Sequence, residues 1–271
     1  MKQINLIAEI GWNHLGNIKL AEKMIKSAKL NGADYCKFQT WSVKNLNDGP
    51  WNHDGRKNIY KKAELTKEKH EKLFKICKKN NVKFLTSIFN INDVSFLKKI
   101  NSKIIKIPSH EIYNINLIKK CLLNFDKVLI STGASKWKEI LKIKKLKFFK
   151  QKVVLMHCVS SYPCEDKNIN LKRINDLKKL TSNIGYSGHA NHINDGILAM
   201  TMGARYIEKH FTINKSLPGR DNKNAILPSD LKIMSEFRNK YNLMLIYKGK
   251  DLQTCEKDIY NNYRGRWSKN A

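Results

Sequence analysis

Eight short apolar runs along the chain each end in residues capable of chemistry. The ends carry Glu9; Lys37 with Gln39; Ser87; Lys106 with Ser109 and Glu111; Ser131 with Thr132; His157; Ser187 with His189; and Glu208 with His210. Lys37 and Lys106 supply two positive charges, and Ser87, Ser109, Ser131 and Ser187 supply hydroxyl donors. Cations combined with hydroxyls suit a phosphate or carboxylate ligand. His189 and His210 end neighbouring runs, and neutral imidazoles are common ligands of divalent metals. Two imidazoles with Glu9 or water completing the sphere would suit Mn or a similar ion. Acid–base work or structural hydrogen bonding is the alternative for the same pair. Glu9 and Glu111 are the carboxylates available for proton transfer or for a substrate's hydroxyls. No one of these residues is informative alone. Together they favour a metal-assisted enzyme handling an anionic small molecule.

The elements that must hold these residues are read from hydrophobic periodicity. Strand-like runs cover Ile4–Ile10, Tyr35–Gln39, Val82–Ser87, Lys103–Ile107, Lys127–Ser131, Val153–Cys158, Ile184–Ser187 and Tyr206–His210. Helical periods lie between and after them, at Ile18–Leu30, Thr66–Lys79, Asn92–Lys99, Asn114–Leu123, Lys136–Lys147, Leu171–Leu180, His192–Met202 and Ser229–Leu245. Ser229 reads as an N-cap, and Gly32 and Gly203 as residues just past helix ends. Eight strand-then-helix units in about 250 residues are the size of an α/β (β/α)8 TIM barrel, whose active sites form at the carboxyl ends of the strands. A doubly wound open sheet is the rival, but it has fewer strands and a Gly-rich first turn that is absent here. The connection Thr40–Leu65, with Trp41, Trp51, His53, Arg56 and Tyr60, is too long for an ordinary loop, and loops of that length are usually functional or disordered. Its aromatics argue against disorder.

Composition narrows the class further. The 271 residues carry 52 Lys plus Arg against 23 Asp plus Glu, a formal charge of +29. Only seven of the basic residues are Arg, and the lysines are spread over almost every helix rather than clustered with aromatics. Lys19, Lys23, Lys26 and Lys29 fall on one outer face. This pattern reads as solvated surface rather than a nucleic-acid footprint. Six cysteines show neither a C-x-x-C pair nor a zinc spacing, and several sit inside apolar periods as small hydrophobes. The opening residues form neither a signal peptide nor a membrane span, so a reduced, cytoplasmic setting is the expectation.

At these same positions the chain resembles the sialic acid (N-acetylneuraminate) synthase family. The matching segments are I-A-E-I-G-W-N-H-L-G-N from Ile7, G-A-D-Y-C-K-F-Q-T from Gly32, K-I-P-S-H-E from Lys106 and I-S-T-G from Ile130. H-C-V-S-S-Y-P from His157, Y-S-G-H from Tyr186, I-E-K-H-F-T from Ile207 and P-G-R-D from Pro218 follow in the family's order. The resemblance implies condensation of phosphoenolpyruvate with an N-acylmannosamine-type aldehyde, giving a nine-carbon 2-keto-3-deoxy acid and phosphate. It implies that Lys37, Ser87, Lys106, Ser109, Ser187 and, where the family has Asn, Ser160 hold phosphoenolpyruvate. Ser131, at the end of its strand, joins the substrate-binding set. By the same resemblance His189 and His210 hold Mn, with Mg or Co possible, Glu9 handles the water added at C2, and Gln39, Glu111, Tyr162 and Asp221 contact the amino-sugar.

Three departures bear on the acceptor more than on the donor. Pro108 and His110 replace two glycines, Ser87 and Ile88 replace Thr and Pro, and Gly188 replaces an Asp beside His189. Family members also carry an antifreeze-like domain after the barrel. The expected division here is a catalytic barrel over 1–247 and a tail over 248–271, whose Arg264 and Arg266 could stand in for an Arg of that domain. A homodimer or a separate protein supplying the domain is the expected kind of partner, besides the two small-molecule substrates. A synthase using a sugar phosphate and a degenerate, non-catalytic barrel are the alternatives. Intact Glu9, Lys37, Lys106, His189 and His210 argue against the second.

Overall fold

The computed structural model describes residues 3–267. Its strands are β1 (Asn5–Gly11), β2 (Tyr35–Thr40), β3 (Lys83–Ile88), β4 (Ile104–Ile107), β5 (Lys127–Ser131), β6 (Val153–Cys158), β7 (Ile184–Gly188) and β8 (Tyr206–His210). They pair in chain order, all parallel, and β8 closes on β1 with Glu9 opposite His210. Closure of eight strands excludes the open doubly wound sheet.

The helices are α1 (Ile18–Leu30), α2 (Arg56–Ala63), α3 (Lys67–Lys79), α4 (Val94–Ile100), α5 (Ile115–Asn124), α6 (Trp137–Lys144), α7 (Phe149–Lys152), α8 (Arg173–Lys178), α9 (Asn194–Thr201), α10 (Pro228–Met244) and α11 (Lys257–Asn262). Local sequence sets their ends. Asn17 accepts a hydrogen bond from the Leu20 amide to open α1, and Thr66 accepts from the Lys69 amide to open α3. The start of α10 differs from the sequence reading. Pro228 takes the first helical turn, where its missing N–H costs nothing, and Asp230, not Ser229, accepts from the Leu227 amide at 2.9 Å. Gly32 and Gly203 turn the chain past α1 and α9 at φ of 95° and 88°, a region costly for residues with a Cβ. In α1, Ala21, Met24, Ile25 and Ala28 are buried, while Lys19, Lys23, Lys26 and Lys29 are exposed as their spacing predicts.

Strand alternation separates two apolar regions. Ala8, Ile10, Cys36, Phe38, Ile105, Ile107, Val128 and Ile130 point outward into the main core beneath the helices. Ile7, Tyr35, Leu85, Ile104, Leu129, Val154 and Met156 form a second cluster filling the barrel's amino-terminal interior. Because side chains alternate with period 2, the next residues on those inner faces are Glu9, Lys37, Ser87, Lys106, Ser131 and Cys158. The barrel interior therefore changes from apolar to ionic within one layer.

The long connection after β2 is ordered. It contains α2, and Glu64 fixes its start by accepting from the Ser42 hydroxyl (2.6 Å) and the Val43 amide (3.0 Å). Tyr60 stacks on Trp12 at 5.0 Å between ring centroids and meets Trp41 edge-on at 5.7 Å. Residues 248–267 are exposed throughout, and Arg264 and Arg266 lie over the tail's own Tyr260, Tyr263 and Trp267 rings. The last four residues of the expected 248–271 tail lie outside the described residues. All six cysteines are free, and only Cys255 is exposed. Among the described residues no helix is long and apolar enough to cross a membrane.

Candidate active site

Four charged side chains from four strands meet inside the carboxyl-terminal half of the barrel. Lys37 on β2 lies 2.9 Å from a Glu9 oxygen, 2.9 Å from the Ser87 hydroxyl and 3.5 Å from Glu208. Glu208 on β8 accepts from Lys106 at 2.8 Å and from the Ser187 hydroxyl at 3.1 Å. All of these groups are buried. Glu208 is the residue that sequence reasoning left unassigned. It stands two places before His210 on the same strand face, and that parity was its available signal.

The two carboxylates are tuned in opposite directions. Burial pushes Glu9 up to about 7, against the pull of Lys37. Burial would also raise Glu208, but Lys106 and Lys37 outweigh it and hold its carboxyl at about 2. Lys37 is raised, because Glu208 and Glu9 overcome its desolvation, whereas burial leaves Lys106 lowered. Glu9 thus titrates near neutrality beside the buried Lys37 ammonium. Its Oε1 also accepts from Gln39 at 2.9 Å, while its buried Oε2 has no hydrogen-bond partner. One carboxylate oxygen is free to meet a proton-bearing ligand.

The hydroxyl residues divide. Ser87, Ser131 and Ser187 are buried inside the barrel, and Ser109 follows β4 with its hydroxyl 3.4 Å from the Cys158 sulfur. Ser160 is exposed beyond β6, but a Cβ on Gly133 would meet its Oγ at 2.4 Å, the Ser109 Oγ at 2.8 Å and the Cys158 Sγ at 3.0 Å. The three segments after β4, β5 and β6 therefore converge, with glycine required between them. The inward parity of Cys158 at the end of β6 places its sulfur here.

Around the mouth, Asp221 accepts a short hydrogen bond from the Trp12 indole and lies 3.5 Å from the His210 Nδ1. Trp41 donates to the Gln39 oxygen at 3.1 Å. Two members of the aromatic trio thus fix Gln39 and Asp221, a role the sequence reading missed for Trp12. Tyr162, half exposed, lies against His189 with its ring tilted by 42° and 4.1 Å between centroids. Glu111 stands apart from the four-charge cluster, bonded by Asn114 at 3.4 Å and raised by burial. His157 faces outward and is bonded to the Ile169 carbonyl at 2.8 Å, a structural role.

His189 and His210 lie side by side, 5.6 Å between centroids, and line one cavity with Tyr162 and Asp221. The Nδ1 of His189 is 2.7 Å from the Val159 carbonyl, which orients the ring and leaves Nε2 available. Such a carbonyl partner is the usual support of a metal-binding imidazole. Burial lowers His210 to about 4, so it is neutral at physiological pH. Its buried Nδ1 has no hydrogen-bond partner. Burial would lower His189 as well, but the Cys158 sulfur beside its Nδ1 outweighs burial and leaves it raised. The two imidazoles fit a divalent ion whose other positions go to substrate or water. Of the two completions the sequence offered, Glu9 or water, Glu9 does not converge with the imidazoles: its Oε1 is engaged by Lys37 and Gln39. Among the described residues no three His, Cys, Asp or Glu side chains converge as ligands.

Comparison with known proteins agrees with this architecture. The N,N'-diacetyllegionaminic acid synthase of Campylobacter jejuni is 35% identical over 250 residues, covering 86% of this chain and 75% of that protein. The N-acetylneuraminate-9-phosphate synthase of Drosophila melanogaster is 34% identical, covering 86% of this chain and 66% of that protein. The solved N-acetylneuraminic acid synthetase of Leptospira borgpetersenii in complex with citrate superposes with a TM-score of 0.85 at 31% identity, covering 98% of this chain and 93% of that one. Residues 24–249 match the NeuB family. The chain belongs to the NeuB family.

Proposed function

We propose that the protein is a nonulosonate synthase, which condenses phosphoenolpyruvate with an N-acylmannosamine-like amino-sugar aldehyde and releases phosphate. The observation that carries this reading is the pair of buried lysines, Lys37 and Lys106, with a carboxyl that titrates near 7 beside Lys37. An anionic donor would pair with those two ammonium groups. Its phosphate and carboxylate would take the ammonium groups and the hydroxyls of Ser87, Ser109, Ser131, Ser160 and Ser187.

C3 of phosphoenolpyruvate forms the new bond to the aldehyde carbon, whose oxygen gains the electron pair and a proton. Water adds at C2 and passes a proton to Glu9, the C2–O bond breaks, phosphate leaves, and the C2 hydroxyl loses its proton to become the ketone. Glu9 suits the proton transfer because its free Oε2 faces no other partner and its pKa lies near the working pH. Gln39, Glu111, Tyr162 and Asp221 surround the acceptor, with Gln39 and Asp221 held by Trp41 and Trp12. His189 and His210 would hold a divalent metal, Mn with Mg or Co as substitutes. When bound, it supplies Lewis-acid polarisation of the aldehyde oxygen.

The similarity to a diacetyllegionaminic acid synthase favours a diamino acceptor. Residues 1–247 carry the catalysis in this reading, and the free cysteines fit a reduced cytoplasm. The test is phosphate release from phosphoenolpyruvate and Mn across N-acylated hexosamines, diamino-sugars and their 6-phosphates, with product mass measured. Release with one acceptor and a product lengthened by three carbons supports the reading. No release with any acceptor counts against it.

A further inference from the structure

Behind the two imidazoles lies a second buried ion pair that the proposed chemistry does not use. Lys209 stands between Glu208 and His210 on β8, but its side chain points the other way. Its ammonium donates to both oxygens of Asp195 on α9, at 3.0 and 2.9 Å, and to the Ala190 carbonyl at 2.9 Å. Asp195 also accepts from the Tyr186 hydroxyl at 2.9 Å. Asp195 and Lys209 are 1% and 3% exposed, so the pair is sealed from water.

Its attachments are the significant feature. Ala190 directly follows His189, and Lys209 directly precedes His210. One ammonium therefore joins the backbone after the first imidazole to the strand carrying the second. Gly188, Ala190 and Lys209 line the same cavity as the two rings. Gly188 is opposite Lys209 in the β7–β8 register, and a Cβ at position 188 would lie 2.3 Å from the Asp195 Oδ2. A side chain at 188 and the carboxylate of Asp195 cannot share that space, and the Tyr186 ring, 2.6 Å from the same Cβ position and held there by its bond to Asp195, would have to turn aside with the loss of that carboxylate.

We propose that Asp195 and Lys209 are positioning residues that set the spacing of His189 and His210 for a divalent cation, and that positions 188 and 195 are alternative sources of one carboxylate. The proposal rests on the reading of the imidazoles as metal ligands. It accounts for glycine beside His189: the carboxylate that Lys209 needs arrives from α9 instead of β7.

The test is Mn2+ titration of the full chain, followed by the electron paramagnetic resonance signal of free Mn2+, with a melting curve for each protein. Wild type should bind one ion with loss of affinity in His189→Ala and His210→Ala. Asp195→Ala and Lys209→Met should weaken binding by about tenfold or more, the size seen when supports of metal-binding imidazoles are removed. Should Asp195→Ala fail to fold, Asp195→Asn keeps the shape, removes the charge and should show the same loss. Gly188→Asp alone should lower the melting temperature, and the double variant Gly188→Asp/Asp195→Ala should recover binding to within about threefold of wild type, since it restores the ion pair from the other strand. Equal affinity in wild type and the Asp195 variants would overturn the clamp while leaving the metal reading intact. A double variant no better than Asp195→Ala would overturn the exchange of positions. Wild type that binds no Mn2+ would overturn the metal reading, and the clamp with it.

Discussion

Two buried lysine–carboxylate groups lie back to back on β8, and they differ in how completely their members are satisfied. The inner group, Glu9, Lys37, Lys106 and Glu208, leaves one Glu9 oxygen without a partner and splits its two carboxyls between about 7 and about 2. The outer group, Asp195 and Lys209, is saturated by Tyr186 and the Ala190 carbonyl. A saturated pair fixes structure. An incompletely satisfied one can exchange its partners for a ligand's phosphate and move a proton at neutral pH. Adjacent residues of one strand, Glu208 and Lys209, thus serve opposite ends because alternation sends them to opposite faces.

The largest expected difference is in turnover. Lys106→Met should lower phosphate release by roughly 10²–10³-fold, the scale of removing one preorganised electrostatic contact. Its melting temperature should fall far less than its activity, measured on the same preparation. The outer pair should respond the other way. Lys209→Met alone leaves Asp195 buried and uncompensated and should cost about 3–5 kcal/mol in denaturant unfolding. The double change Asp195→Leu/Lys209→Met should recover most of that stability, because a buried pair replaced by apolar residues is often near neutral. A double variant as unstable as the single would break the comparison.

The pH dependence of stability sharpens it further. Glu208 is depressed from 4.5 to about 2, so the folded state loses its contribution as pH falls from 4.5 towards 2. Glu9 is raised from 4.5 to about 7, so its protonated form favours folding and that contribution is lost as pH rises from 4.5 through 7. Unfolding measured across pH should therefore show Glu9→Gln flattening the neutral side and Glu208→Gln the acid side. The smallest effect is expected at the mouth. Trp12→Phe keeps the stack on Tyr60 but removes the bond to Asp221, about 1 kcal/mol, and should raise KM for the acceptor several-fold with KM for phosphoenolpyruvate unchanged.

Most of the fold was legible because each strand-then-helix unit is a local pattern; Ile18–Leu30 and the runs at Lys127–Ser131, Val153–Cys158 and Tyr206–His210 coincide with the observed elements. The inward placement of Lys37 and Lys106 was legible from their position at strand ends. What remained hidden depends on partners distant in sequence. Asp195 is an unremarked helix residue until Lys209 is seen beside it, and Glu208 gains its meaning only from Lys37 and Lys106. Ser229 misled because a cap is set by geometry, and Pro228 moved the helix start one residue earlier.

The most direct measurement is calorimetric titration of phosphoenolpyruvate into wild type, Lys37→Met/Lys106→Met and Asp195→Leu/Lys209→Met without added metal. Saturable binding in wild type and in the outer double variant, with loss in the inner one, is the predicted result. Binding that survives removal of both inner lysines would contradict the assignment of the barrel interior as the phosphoenolpyruvate site.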